Sequence, residues 1–464
     1  MLQIVKTNTY YLLVFYNALL SWIFILFDYK VDSLFFFFSL MMFGFILIKN
    51  SSNIITMIRT FFLAIIGFMA MGTKFIDDNA WFGHHMQESQ SIEIATLMFL
   101  LTNIALFGSE IGFLLSSNCK IISSKKLVFE GKTFFYITFI LLIFVSYLIS
   151  LSRLNILTAT YGSGGGVSMP LSNLNAISNI LFYSLILLYF KFTNIYNWSA
   201  NKYKYLIIFS GIFLFLYSEI LHGVRMDALN GIFGAVILYL VYSGKSLRLN
   251  WKIFLLGALL FVIFQVIGMV RSSLQSMTLG QHYDLIIYGF SSIFTGSKSG
   301  ILFYQGTIND IATTFSGIIM MLEENMINFY YGSSYFDYIL RIPPAFIYPD
   351  RPQDLAWIFV NNGLTSGGGF FELAEAYLNF GVMGVLIVPF IISFLFGYGY
   401  KLFIYNKYSL LGSMLLFGLL SSFLRGILYQ SFALYKSVIT GFIIIMFFFL
   451  IRALIKKRNY KYFL

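Results

Sequence analysis

Along this chain, apolar runs of roughly 17 to 25 residues alternate with short polar clusters, a spacing that crosses roughly 30 Å of hydrocarbon as α-helix. Twelve such runs lie near residues 8–27, 34–48, 54–72, 91–117, 133–151, 173–192, 204–221, 226–243, 253–270, 378–400, 409–424 and 431–451. They predict an all-α, polytopic membrane protein. The second run is short enough to be little tilted or partly interfacial. Between the ninth and tenth runs the pattern breaks over residues 271–377, a loop far longer than an ordinary connection and therefore expected to carry structure of its own. Apolar pieces at 285–294 and 308–322 sit inside it, broken by Asn309, Asp310, Thr313 and Thr314. That mixture predicts helices lying on the membrane surface or packed over the bundle rather than spanning it. Three regions follow: a bundle of about nine spans (1–270), a large loop capping it (271–377), and three last spans with a basic tail (378–464).

Composition agrees with the pattern. Of the 464 residues 59% are hydrophobic, 55 are Phe, and the mean hydropathy is +0.82, against roughly 45–50% apolar residues in soluble domains. No small-residue cleavage site follows the first run, which is read as a retained span rather than a signal peptide. The single cysteine, Cys119, excludes an internal disulfide and a cysteine-built metal site.

The formal net charge of +11 matters through its placement. A nucleic-acid stripe would interleave basic residues with aromatics on one exposed face. Here the lysines recur between apolar runs instead. With the N-terminus in the cytoplasm, 16 of 20 lysines fall on the inner side, and only Lys30, Lys74, Lys298 and Lys436 fall outside. That asymmetry orients spans in a bilayer. It puts both termini in the cytoplasm and exports the 271–377 loop, with a lipid bilayer and no nucleic acid as partner.

The arginines break the lysine rule. Arg153, Arg225, Arg271, Arg341, Arg351 and Arg425 fall outside, against Arg59, Arg248, Arg452 and Arg458 inside. The planar guanidinium matches phosphate in a two-pronged fork, so arginines held on the disfavoured face point to an anionic ligand. Arg225 lies in the turn from Leu221 through His222 and Gly223, and Arg425 lies in the turn before the last span. Both positions are at the depth of a lipid diphosphate. The plainer alternative is that Arg225 pairs with Glu219 or Asp227 and that Arg425 snorkels.

Polar and rigid residues concentrate between Arg341 and Gly384. Four of the six prolines fall there, with Gly367, Gly368 and Gly369, Arg351, Asp350, Asp354, Glu372 and Glu375, in a chain only 11% charged. A membrane protein that gathers such residues in one segment has its chemistry there. Glu372 and Glu375 are three apart and share one face if the segment is helical. Two close carboxylates, or one beside lipid, suit general-base duty; the alternative is a favourable acid at a helix N-terminus. Glu375, nearer the tenth run, is the preferred base. His84 and His85 beside Asp77 and Asp78 lack the spacing of a helical ligand pair, so no metal and no cofactor is expected. His222 stands near Arg225, with a solvated loop histidine as the plain reading. The glycines at 162 and 164–166 lack the strand and helix a phosphate loop needs.

At these residues the chain resembles the Wzy-type polymerases, which join O-antigen, capsule or enterobacterial common antigen repeat units in the bacterial inner membrane. The resemblance rests on Pro343 and Pro344 through Pro349, Asp350, Arg351 and Pro352, and on the three glycines before Glu375, Ala376, Tyr377, Leu378, Asn379, Phe380, Gly381 and Gly384. Gly223 to Arg225 and Arg425 also fit, as does the plan of many spans with one late exported loop. It implies a metal-independent glycosyltransferase at the periplasmic face, whose donor and acceptor are undecaprenyl-diphosphate-linked glycans. Arg225, Arg341, Arg351 and Arg425 would hold and stabilise the leaving diphosphate, and Glu375 would take the acceptor proton. Arg271, Glu372, Tyr377, Asn379 and His222 would line the substrate site, and a chain-length regulator and a flippase would be partners. Two rivals share part of this logic. An O-antigen ligase uses the same leaving group. A lipid-linked oligosaccharide flippase or other transporter would carry mid-membrane ionisable residues and inverted repeats; Glu110 is the one deep candidate, and no repeat is visible.

Overall fold

The computed structural model describes residues 7–27, 30–50, 53–76, 88–120, 307–341, 348–353, 357–362, 370–405 and 423–428, together with residues 287, 355, 431, 434–436 and 438–439. Every regular element among them is an α-helix: α1 (Thr7–Phe27), α2 (Ser33–Asn50), α3 (Ile54–Ile76), α4 (Glu88–Asn118), α5 (Thr307–Glu323), α6 (Ser333–Leu340), α7 (Trp357–Asn361), α8 (Glu372–Tyr405) and α9 (Phe423–Leu428). Five of these, α1 to α4 and α8, are long and apolar enough to cross a membrane. They fall on five of the twelve runs read from the sequence; the five runs between 133 and 270, and most of those at 409–424 and 431–451, lie outside the described residues.

Local sequence sets several boundaries. Asp32 Oδ1 accepts from Phe35 N–H at 2.8 Å and opens α2, and Asn53 Oδ1 accepts from Ile55 N–H at 3.1 Å and opens α3; each satisfies a donor that the first turn leaves free. At the far end of α4, Lys401 Nζ donates to the carbonyls of Ser117 and Cys119, the latter at 2.7 Å. A cation there answers both the orphan carbonyls and the negative end of the helix.

Among the described helices α4 is central, packed by α1, α3 and α8. Lipid tails are as apolar as the helices, so association depends on close packing, and α4 supplies it with small residues four apart. A methyl group on Gly108 would come 2.3 Å from the Leu386 carbonyl oxygen, and one on Gly112 would come 2.4 Å from that of Phe390. One turn on, Ser116 faces Gly397. The contacts advance together along both helices, so α4 and α8 run parallel with their backbones touching. Toward α1 and α2 the packing is aromatic, with Phe35, Phe36, Phe68 and Phe99 at ring separations of 4.8–6.2 Å within their group and to Phe24.

Helix α5 covers the apolar piece at 308–322. Residues 311–319 are buried on every side, and the helix contacts α3, α4 and α8. Such burial excludes a helix lying on the surface, which would keep an open face, and agrees with a helix packed against the bundle, whether or not it spans.

The decisive feature is a break in α8. Phe380 (φ −139°, ψ 16°) and Gly381 (φ 59°, ψ −145°) leave the helical region, and the Gly381 conformation belongs to glycine alone. Beyond it the chain doubles back. A methyl group on Gly384 would fall 2.0 Å from the Ala376 carbonyl oxygen, although eight residues of straight helix separate their ends by about 12 Å. The sequence places a span start at 378 with the two glutamates at its mouth; the structure turns residues 372–379 into an arm folded along the helix that follows, carrying both glutamates inward.

Candidate functional site

The arm presents Glu372, Glu375 and Asn379 on one face, at the three- and four-residue steps of a helix. All three are fully buried, yet each has a different set of partners. Those partners divide the work among them.

Glu372 is consumed by Arg59. The guanidinium meets the carboxylate through both oxygens, at 3.0 Å from Nη1 and 2.5 Å from Nη2, with both side chains at zero exposure. Its third nitrogen, Nε, donates to Ser393 Oγ at 2.7 Å, which shares a 2.7 Å hydrogen bond with Ser109 Oγ. The Phe396 ring lies under the guanidinium, 5.8 Å from the centroid. Glu372 and Ser393 would be about 31 Å apart on a straight helix; one guanidinium touches both because α8 is folded. Every prong of Arg59 thus ends on a partner, as a buried charge requires.

Asn379 is a strut. Its Oδ1 accepts from Gly332 N–H and Ser334 Oγ, both at 3.1 Å, and its Nδ2 donates to Ser334 Oγ and to the Glu375 carbonyl, both at 2.8 Å. Tyr330 N–H adds a 3.0 Å bond to the Leu378 carbonyl, one of those the broken helix leaves open. The start of α6 is thereby tied over the arm. Gly332 (φ 88°) has no room for a side chain, since a Cβ would meet the Phe380 ring at 2.7 Å.

Glu375 is the less committed carboxylate. Oε2 accepts from Ser431 N–H at 3.1 Å, and the Tyr338 and Ser431 side chains neighbour the same group. Oε1 makes no hydrogen bond among the described residues. Tyrosines from α6 roof this space: Tyr335 and Tyr338 lie 6.2 Å apart edge to face, Tyr338 is 6.1 Å from Tyr435, and Tyr335 stacks on Phe380 at 6.3 Å. The Tyr335 hydroxyl has no hydrogen-bond partner among the described residues. Burial, then the charge of Glu375, pushes the Tyr335 phenol well above its ordinary value, so it remains a proton donor throughout the neutral range.

Of the remaining residues picked out in the sequence, Tyr377 turns away from Glu375 toward Phe329, ring to ring at 6.3 Å. Arg341 closes α6, its N–H donating to the Asp337 carbonyl at 2.9 Å, three positions beyond Tyr338. Arg351 is exposed in the turn after Pro349. Arg425 lies in α9, whose Phe423 packs on Phe396 at 5.0 Å and which ends three positions before Ser431. Arg225, Arg271 and His222 lie outside the described residues. Glu110, the deep acid in the sequence, is held by Tyr10 Oη at 2.8 Å, Asn50 Nδ2 at 2.5 Å and Lys49 Nζ at 3.4 Å.

Sequence reasoning missed Arg59, Ser109, Ser393 and Ser431. A signal existed for the first: Arg59 is the one charged residue in the run 54–72, and charges inside apolar runs are expensive and usually paired. No family model, no curated protein and no solved structure matches this chain.

Proposed function

We propose that the chain is a polysaccharide polymerase of the bacterial inner membrane, joining undecaprenyl-diphosphate-linked oligosaccharide units at the periplasmic face. The observation that carries the reading is the difference between the two carboxylates of the arm. Glu372 is closed by Arg59 on both oxygens, whereas among the described residues Glu375 has no cation against it and its Oε1 makes no hydrogen bond, beneath a tyrosine roof. In the proposed reaction Glu375 takes the proton of the acceptor hydroxyl as that oxygen bonds to the anomeric carbon of the donor. The bond from that carbon to the diphosphate breaks, and undecaprenyl diphosphate leaves with the electron pair. Arg225, Arg341, Arg351 and Arg425 are the proposed cations for the leaving diphosphate, since guanidinium groups stabilise charge that develops on phosphate oxygens. Glu375 has no exposed surface, so the proposed reaction requires a movement that opens the site to the acceptor. The test is incubation of the purified protein in detergent with its lipid-linked repeat unit: a ladder of extended glycans supports the reading, and glycan that stays one unit long refutes it.

A second reading draws on Arg59 and Glu372. A discontinuous helix whose first segment carries buried charge to the middle of a bundle is a device of secondary transporters. Translocation of the lipid-linked unit across proteoliposomes without extension would favour it.

A further inference from the structure

We infer that Arg59 is a positioning residue for Glu375, acting through Glu372 as the latch that holds the folded arm in register; in its catalytic sense the inference rests on the proposed function above. Arg59 stands on α3, Glu372 on the arm and Ser393 on the long segment of α8, so its three donors lock three pieces of backbone together. Only one turn of helix separates Glu372 from Glu375, and a rigid turn transmits position. At its other end the arm is fixed by Asn379. Between these two anchors the backbone donor to Glu375 among the described residues is Ser431 N–H. Its aim is therefore set by the anchors. Apart from Arg59, the inner end of the arm is held among the described residues by apolar packing, with Phe371 against Phe315 of α5 at 5.5 Å, which sets position less sharply than a two-pronged ion pair.

The experiment combines an activity measurement with one that is independent of activity. Arg59→Gln, Glu372→Gln and the exchanged pair Arg59→Glu with Glu372→Arg are purified, and those that elute as single species with wild-type helix content are assayed for chain extension. Each single variant is expected to lose about 100-fold in kcat, the scale of an ångström-sized misplacement, with KM for the lipid-linked unit within about twofold of wild type. Arg59→Gln combined with Glu372→Gln should fall no further than either, and the exchanged pair should recover at least tenfold of the loss. In parallel, Ala374→Cys is placed on the arm in a Cys119→Ser background; Ala374 is fully buried. Its thiol should resist a small methanethiosulfonate reagent when Arg59 is present and react when Arg59 is Gln. Equal protection in both, or a loss that appears in KM instead of kcat, overturns the latch. A wild-type protein that fails to extend glycan refutes the proposed function alone, because the thiol measurement still decides whether Arg59 holds the arm.

Discussion

Arg59 and Glu372, 313 positions apart in sequence, meet through two parallel hydrogen bonds with neither side chain reaching solvent. Removing one partner of a buried pair strands the other charge, which typically costs about 3–5 kcal/mol, whereas replacing both with apolar residues of similar volume is often near neutral. Arg59→Met should therefore lower the thermal midpoint in detergent sharply, and Arg59→Met with Glu372→Met should regain most of it. Equal melting of the single variant and wild type would show that the pair contributes nothing.

The seam between α4 and α8 gives an internal comparison among glycines. Gly112→Ala puts a methyl 2.4 Å from a backbone carbonyl oxygen, whereas Gly44→Ala meets nothing within 4 Å. The first should destabilise by several kcal/mol or abolish folding, since backbone cannot yield as a side chain does. The second should stabilise by up to about 1 kcal/mol through helix propensity. Thermal unfolding of the two variants side by side checks both signs.

Gly381 occupies a region of φ and ψ that only glycine tolerates well, so Gly381→Ala should cost about 1–3 kcal/mol. The loss should fall on the hinge: exchange of amides in residues 370–380 should accelerate more than in α4, a pattern that hydrogen exchange with peptide resolution reads directly.

Asn379→Ala removes both acceptors and donors of the strut that ties α6 to the arm. Leaving the buried Gly332 N–H without a partner costs about 1–3 kcal/mol. Limited proteolysis should then cut residues 324–335 at lower protease concentration than in wild type, with α1 to α4 unaffected.

The Tyr335 phenol gives a pH dependence. Its folded value is raised above the unfolded one, so the fold prefers the protonated form. The associated stability is fully present below the unfolded value, near 10, and is lost as pH rises from there through the folded value. Melting curves taken from pH 8 to pH 11 should fall, and Tyr335→Phe should make the fall shallower.

How far the sequence reaches is clearest at α8. Run length and polarity locate α1 to α4 and the long helix within a few residues, because spanning hydrocarbon requires an uninterrupted apolar helix. The polar concentration from Arg341 to Gly384 likewise marks the region where Glu372, Glu375 and Asn379 come together. What stays hidden is the reversal at Phe380 and Gly381: glycines are common in membrane helices, and nothing in their spacing distinguishes one that packs, such as Gly112, from one that turns the chain. Without that reversal Arg59 reads as an ordinary charge near a helix start, and Glu372 and Glu375 differ only in their distance from the expected span. Three-dimensional pairing separates them, giving one a guanidinium and the other an oxygen with no hydrogen bond among the described residues.

Chain extension by purified wild-type protein and by Glu375→Gln, each given the lipid-linked repeat unit, tests the account most directly. The wild type should produce a ladder of glycans, and Glu375→Gln, isosteric and still able to accept from Ser431 N–H through its amide oxygen, should produce none while melting within a few degrees of wild type. A full ladder from Glu375→Gln would contradict the assignment of the proton acceptor, and with it the reading of the folded arm as the centre of the site.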